Sequence, residues 1–302
     1  MNTSFPLAFG TMQFGGGADA RASRALFDAC IAAGVTHFDT ACGYNDGASE
    51  ELLGEFAAPL RHRLTIATKV GYMGGAGAAN IRAQFDGSRR RLGMEAVDLL
   101  YLHRFDPRTP LEETFETMAR LQSDGLIRQI GVSNYAAWQV MKAQAVCHAL
   151  GTRIDAVQPM YSIVKRQAEA EILPMCDDAG MVAYTYSPLG GGLLSGKYGA
   201  GAKGRLTEDA RYAARYAPAA MHAAASGLAQ IAEEIEVPAA TLAVAWVLAH
   251  SAGPCPLISA RDVDQLAPSL AAEQFVMTPD LYARLGRLFP APPPATDRLE
   301  EA

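Results

Sequence analysis

Short apolar runs rich in β-branched and aromatic residues recur along this chain, and each stops at a polar or glycine-bearing turn before a stretch of helical spacing begins. The runs occupy residues 7–12, 35–39, 64–70, 97–103, 127–133, 154–158, 181–187 and 254–259. Their length and flanks predict buried strands. After the first run comes a loop with Gly15, Gly16 and Gly17, and then Ala22, Leu26, Ala29, Cys30 and Ala33 fall on one helical face. That spacing predicts a helix over 18–33, ended by Gly34. Eight strands alternating with helices along one uninterrupted chain predict an α/β fold of the (β/α)8 TIM-barrel kind, a parallel eight-stranded barrel with its ligand loops at the strand C-terminal face. A doubly wound sheet is the competitor. Its first turn would carry Gly-x-Gly-x-x-Gly, and Gly10, Gly15, Gly16 and Gly17 do not have that spacing.

One stretch breaks the alternation. Residues 190 to about 217 are long for a loop and rich in Gly, Lys and Arg, and a helical, alanine-rich segment over 219–235 follows. Such an insertion after the seventh strand is where a barrel keeps ligand-binding loops. The longest apolar stretch, 237–249, is too short to cross a bilayer and contains Pro238, so it reads as a buried core helix. No linker divides residues 1–289, which are expected to form a single barrel domain. Pro290-Ala291-Pro292-Pro293-Pro294 and the acidic segment to 302 are expected to form a mobile tail.

Composition narrows the function classes. The 302 residues are half apolar, enough for a large core, and the formal net charge is −6 with no basic block. A nucleic-acid partner is therefore not expected, and small molecules are. The five cysteines are scattered and never form a Cys-x-x-Cys pair. That usage points to reduced thiols, no structural metal and a cytoplasmic setting. The residues at the start show no signal-peptide pattern, and no membrane partner is expected.

Chemistry in a barrel sits where strands end, and the polar residues there are Asp39, Lys69, His103, Ser133 with Asn134, Gln158 and Ser187. Taken singly, each has a plain structural explanation: a lysine reaches for water, and a histidine satisfies the core. Successive parallel strands, however, would bring Asp39, Lys69 and His103 to one mouth with Tyr44, which stands one loop beyond Asp39. A tyrosine is a poor proton donor near neutrality, and an ammonium beside it lowers its pKa. Lys69 is placed to supply that charge, Asp39 to hold Lys69 protonated, and a neutral His103 to orient a carbonyl. The set is a general acid for a developing alkoxide and lacks a hydride source, so a cofactor is required.

At these positions the sequence resembles the aldo-keto reductase family. The resemblance is carried by Asp39-Thr40-Ala41-x-x-Tyr44 with Ser49-Glu50 and Leu53-Gly54, Thr68-Lys69, Leu102-His103, Gly131-Val132-Ser133-Asn134, Gln158, and Tyr186-Ser187-Pro188-Leu189-Gly190 leading to Ser195-Gly196-Lys197-Tyr198. It implies an eight-stranded barrel, a nicotinamide cofactor held without a Rossmann domain, and reversible reduction of aldehydes or ketones. It further implies Tyr44 as general acid, Lys69 and Asp39 as its tuning pair and His103 as the carbonyl-orienting group. Ser133, Asn134 and Gln158 would hold the carboxamide, and Tyr186 would stack under the nicotinamide ring. Ser187, Pro188, Leu189 and Gly190, with the loop to Lys197, would wrap the pyrophosphate, and Arg205 is a second cation there. Thr11 and Met12, at the end of the first strand, are placed with the cofactor contacts.

The match weakens around the adenosine phosphate. Ser259, Arg261 and Pro268-Ser269 stand where many family members have Gly, Ser and Glu-Asn, and Gln265 matches. Arg261, at the start of a helix, suits a 2′-phosphate, so NADPH is expected over NADH. Two rival functions remain at this stage: a nicotinamide-binding redox sensor or regulatory subunit without significant turnover, and an aldolase using Lys69 as a Schiff-base amine. The carbonyl substrate would be lined by loops 11–17, 72–80 and 104–110, the segment after Gly190 and the C-terminal tail. Arg104, next to His103, could meet an anionic substrate but is read rather as a surface group in solvent or a helix-end salt bridge, and Cys42, close to the proposed acid, is read as a packing thiol rather than an oxidant-sensitive one.

Overall fold

The computed structural model describes residues 6–200, 204–296 and 298. Eight parallel strands close into a barrel in sequence order: β1 (Ala8–Gly10), β2 (His37–Asp39), β3 (Thr65–Val70), β4 (Val97–Leu102), β5 (Ile127–Ser133), β6 (Ala156–Gln158), β7 (Val182–Tyr186) and β8 (Cys255–Ile258), with β8 pairing back onto β1. All eight expected strands are present. Most are shorter than their apolar runs, because the end residues leave the ladder to start the loops that carry the polar groups.

Helices fill the connections. α1 (Ala20–Ala32), α2 (Ala48–Ala57), α3 (Ala78–Leu92), α4 (Leu111–Ser123), α5 (Ala137–Ala149) and α6 (Ile172–Asp178) follow β1 to β6 in turn. After β7 come α7 (Arg205–Glu208), α8 (Ala210–Arg215), α9 (Ala219–Glu234) and α10 (Ala239–Leu248), and after β8 come α11 (Val263–Leu270) and α12 (Pro279–Gly286). α1 starts two residues later than its spacing predicts, because the Asp19 carboxylate accepts from the backbone N–H of Ala22 at 2.8 Å and caps it. The expected core helix is α10, opened by Pro238, and its residues from Ala240 to Val247 are buried. Among the described residues no helix is long and apolar enough to cross a membrane. All five cysteines are free.

The strands alternate two faces with the period of the pleat. Outward residues such as Phe9, Phe38, Ile66, Leu100, Leu102 and Val157 pack in one cluster with helix residues Phe27, Phe56, Phe85 and Phe115. Phe27 lies 4.7 Å from Phe38 and 5.8 Å from Phe56, ring centre to ring centre. Truncating such a buried ring to alanine costs about 3–5 kcal/mol. Inward residues form a separate cluster of Ala67, Leu99, Tyr101 and Ala156, with Tyr184 against it. One step further towards the strand C-termini, the inward positions on β2, β3 and β6 are Asp39, Lys69 and Gln158. The site thus sits on the roof of a packed interior.

Of the tail expected over 290–302, residues 297 and 299–302 lie outside the described residues, and residues 290–296 contain no helix or strand. Residues 1–5 and, within the insertion after β7, residues 201–203 also lie outside them.

Candidate active site

Parallel pairing in register lines up the strand ends. Asp39 pairs with Ala67, and Lys69 pairs with Tyr101, two residues before His103. Lys69 is fully buried, and its ammonium donates to Asp39 and, at 2.9 Å, to the Thr40 carbonyl. Its Nζ lies 5.3 Å from the centre of the Tyr44 ring. Tyr44 opens a 3-10 turn, Tyr44–Gly47, and its ring meets His103 edge-on with centroids 5.9 Å apart. The structure therefore brings Asp39, Tyr44, Lys69 and His103 together.

Electrostatics decide what each can do. Burial pulls Lys69 towards neutrality, but Asp39 and Tyr44 outweigh it and hold the ammonium above the usual lysine range. Burial raises the Asp39 carboxyl against the opposing pull of Lys69 and Gln158. For His103, burial, with help from Lys69 and Arg104, pushes the pKa down to about 3, so the imidazole is neutral at physiological pH. Tyr44 departs from the sequence expectation. Burial is the larger influence and lifts the phenol above its ordinary value, and Lys69 only partly reverses this. The phenol keeps its proton at neutral pH and sits beside a cation that would stabilise its anion.

The groups expected at the carboxamide form one hydrogen-bonded chain. Gln158 donates to the second Asp39 oxygen at 2.9 Å, Ser133 donates to the Gln158 carbonyl at 3.0 Å, and the Asn134 amide donates to Ser133 and to the His103 carbonyl. The Tyr186 hydroxyl donates to the Asn134 side-chain oxygen at 2.7 Å. Asn134 and Ser187 adopt left-handed backbone, as do Asn45 and Asp46, so four of the five such non-glycine residues in the described chain lie at the barrel mouth. Strained backbone of this kind concentrates where function demands a geometry.

The phosphate side is looser. Pro188 is buried and Leu189 packs on the core, after which Gly190, Gly191 and Gly192 all take positive φ in the turn Gly190–Ser195. A side chain at Gly191 would press on Tyr212 and Tyr216, so the glycines keep a backbone cradle open. Lys197 lies over Tyr198 with its Nζ 5.0 Å from the ring, and Arg205 donates to the Tyr212 hydroxyl at 3.2 Å. Arg261 reaches from the start of α11 to Glu208 of α7 at 2.9 Å, beside Gly17. Gln265 is turned onto the helix cap, its amide donating to Asp262 at 2.7 Å, and Ser259 is exposed at the end of β8. Thr11 is turned inward: its hydroxyl bonds the Asp39 carbonyl and Ser49, tying β1 to β2 and α2. Met12 is partly buried in the adjoining turn. Arg104, expected in a salt bridge, instead stacks on Tyr72 at 4.7 Å, and Tyr72 in turn lies 5.0 Å from His103.

Several residues that hold this site in place had no role assigned from the sequence. Glu50, fully buried on α2, accepts from Thr68 at 2.5 Å and from Arg91 of α3 at 2.7 Å, and Arg91 also reaches the Cys42 carbonyl at 3.5 Å. This braces the loop that ends in Tyr44. Asn45 donates to the carbonyls of Met12 and Phe14 at 3.0 and 2.7 Å, locking that loop to the one after β1. Gln84 binds the Gly71 N–H at 2.8 Å and accepts from the Cys42 thiol at 3.5 Å. Glu50 stood in the sequence only as part of the Ser49-Glu50 motif, with no partner legible there; Asn45 and Gln84 offered no signal in the linear sequence.

Known proteins share this arrangement in sequence. The chain is 40% identical over 195 aligned residues to the human "Aflatoxin B1 aldehyde reductase member 2", covering 63% of this chain and 54% of that protein. The match thus spans only about half the length of that relative. It is 31% identical to the "Uncharacterized oxidoreductase YrpG" of Bacillus subtilis over 95% of this chain and 92% of that one. A "Probable voltage-gated potassium channel subunit beta" of Oryza sativa subsp. japonica is also 31% identical, over 96% of this chain and 94% of its own. The Aldo/keto reductase family profile matches residues 6–288, which takes in every strand of the barrel and each polar group at its mouth. With fold, site and sequence in agreement over that span, the chain belongs to the aldo/keto reductase family.

Proposed function

We propose that this protein is an NADPH-dependent oxidoreductase that reduces an aldehyde or ketone to the alcohol, with Tyr44 as general acid. The barrel over 1–289 acts in this as one domain. The observation that carries the reading is the fully buried Lys69 ammonium, fixed by Asp39 within 5.3 Å of the Tyr44 ring, with a neutral His103 edge-on to the same phenol at 5.9 Å between ring centres.

When bound, NADPH would supply the hydride for the carbonyl carbon. His103 hydrogen-bonds the carbonyl oxygen and turns it towards Tyr44. As charge builds on that oxygen, Tyr44 gives up its proton, and Lys69 stabilises the phenolate left behind. Solvent then reprotonates the tyrosine. A positioned acid of this kind contributes about 10²–10⁴-fold. The donor set suits the cofactor: amide and hydroxyl groups of Ser133, Asn134 and Gln158 for a carboxamide, the Tyr186 ring for the nicotinamide face, glycine N–H groups at 190–192 and Lys197 for the pyrophosphate, and Arg261 for a 2′-phosphate.

The rice relative favours a second reading, a nicotinamide-binding regulatory subunit without significant turnover. The complete set of Asp39, Tyr44, Lys69 and His103 weighs against it, since binding alone does not require a tuned acid. The aldolase alternative needs a neutral amine at Lys69, which Asp39 opposes. A panel of aldehydes, ketones and sugars, assayed for oxidation of NADPH and of NADH, tests the proposal. Turnover of at least one carbonyl class with NADPH supports it. Tight cofactor binding with no turnover across the panel would instead establish the regulatory reading.

A further inference from the structure

Lys69 has a neighbour that the proposed reaction does not use. Tyr101 of β4 points into the barrel and is fully buried, and the Lys69 Nζ lies 5.7 Å from its ring centre, against 5.3 Å for Tyr44. The ammonium is thus flanked by two phenol rings. Gly131 of β5, paired with Tyr101 across the ladder, makes this possible: a Cβ at Gly131 would come within 2.5 Å of the ring carbon Cε1. The Tyr101 hydroxyl is buried beside the Gln158 amide, which itself donates to Asp39 at 2.9 Å. The polar groups around it are Asp39 of β2, Lys69 of β3, the Gln158 amide of β6, Tyr184 of β7 and Cys255 of β8, with His37 4.4 Å beyond on the Tyr184 ring.

We infer that Tyr101 is a positioning residue for Lys69: its ring, seated against Gly131, holds the ammonium in line with Tyr44, and its hydroxyl dipole steadies the Asp39 carboxylate. The inference rests on the reductase reading given above. Burial and the Asp39 charge keep Tyr101 protonated far above the usual range, so it does not titrate and acts only through the Asp39–Lys69 pair. The ring lies within the distance at which a cation gains from an aromatic face. Removing the hydroxyl leaves Asp39 less stabilised, so Lys69 holds its charge less firmly and the Tyr44 pKa rises.

The test uses the full chain and the best carbonyl substrate of the panel, and records the pH profile of kcat and the NADPH Kd by fluorescence titration. Tyr101→Leu should lower kcat about 10- to 100-fold with the NADPH Kd changed far less, because the ring faces Lys69 while Gln158, the cofactor-side group beside it, keeps its bond to Asp39. Tyr101→Phe should restore kcat to within about threefold of wild type, yet keep the alkaline limb of the profile about half a pH unit higher. Gly131→Ala should lower kcat as Tyr101→Leu does, and adding it to Tyr101→Leu should cost nothing more. A residue that only filled the interior would leave the limb unmoved, and an unmoved limb in Tyr101→Phe overturns the inference even if the leucine variant fails to fold. Wild-type turnover that depends on Tyr44 but ignores Tyr101 sinks this inference and spares the reductase reading. Absence of wild-type turnover removes both.

Discussion

On the β2–β4 side of the barrel mouth Asp39, Lys69 and Glu50 are buried and already bonded to their neighbours, whereas on the β7–β8 side the cations Lys197, Arg205 and Arg261 are part-exposed and rest on groups of the surrounding loops. Lys69 and Asp39 form an ion pair without solvent, and Glu50 and Arg91 brace the loop above them. Arg261, by contrast, pairs with Glu208 across two short segments, and both side chains are more than a third exposed. The difference is one of task. A proton donor gains from an environment fixed before the substrate arrives, since no reorganisation is then needed in the transition state. A cofactor must enter and leave, and loops that trade weak partners for phosphate oxygens permit that.

The sharpest way to break the buried side is Lys69→Met. It should abolish carbonyl reduction by about 10³-fold or more, and leaving Asp39 as a buried unpaired carboxylate should cost about 3–5 kcal/mol in urea unfolding. A loss below about 1 kcal/mol would mean that the pair is not the rigid element described here.

Acid should act on the same side. The pKa values of His37 and His103 are both pushed down to about 3 from an ordinary 6.5, chiefly by burial. Between those values the unfolded chain binds more protons than the folded one, so stability is highest above pH 6.5 and falls as pH drops towards 3. Each histidine contributes up to about 1.4 kcal/mol per pH unit in that window, and unfolding at pH 5.5 against pH 7 should show a loss of about 2 kcal/mol. Equal stability at the two values would show that the two imidazoles are hydrated.

On the exposed side, Arg261→Ala should weaken NADPH binding about 10- to 100-fold and leave NADH almost unchanged, because one charge-assisted grip on a 2′-phosphate is lost. Equal weakening of both cofactors would take Arg261 out of that role. The smallest effect belongs to Glu208→Gln. It frees Arg261 from a competing carboxylate, and since an exposed pair is worth about 0–1 kcal/mol, NADPH should bind up to about fivefold more tightly. Weaker binding would mean that Glu208 holds Arg261 in place for the phosphate.

This contrast also explains what was legible in the sequence. Strands buried on both faces appear as continuous apolar runs, and a charged residue interrupting one, such as Lys69 at the end of Ala67-Thr68-Lys69, stands out. The eight strands and the convergence of Asp39, Tyr44, Lys69 and His103 were therefore readable. Contacts set by side-chain packing inside the barrel were not: Tyr101 on Lys69, made possible by Gly131, depends on how three neighbouring strands in register direct their side chains inward. Nor was the Arg261–Glu208 pair, because α7 is a single turn whose existence depends on packing and not on local propensity. The sign of the Tyr44 shift was missed for the same reason. The sequence places Lys69 nearby, but only the folded enclosure shows how strongly burial opposes it.

The most direct test of the separation between the two sides is Tyr44→Phe, with kcat for carbonyl reduction and NADPH Kd measured on the same preparation. The account predicts a kcat lower by about 10²–10⁴-fold with Kd within about twofold, since the hydroxyl serves only the transition state. A variant that kept more than about a tenth of the wild-type kcat, or whose Kd rose in step with the loss of rate, would contradict it.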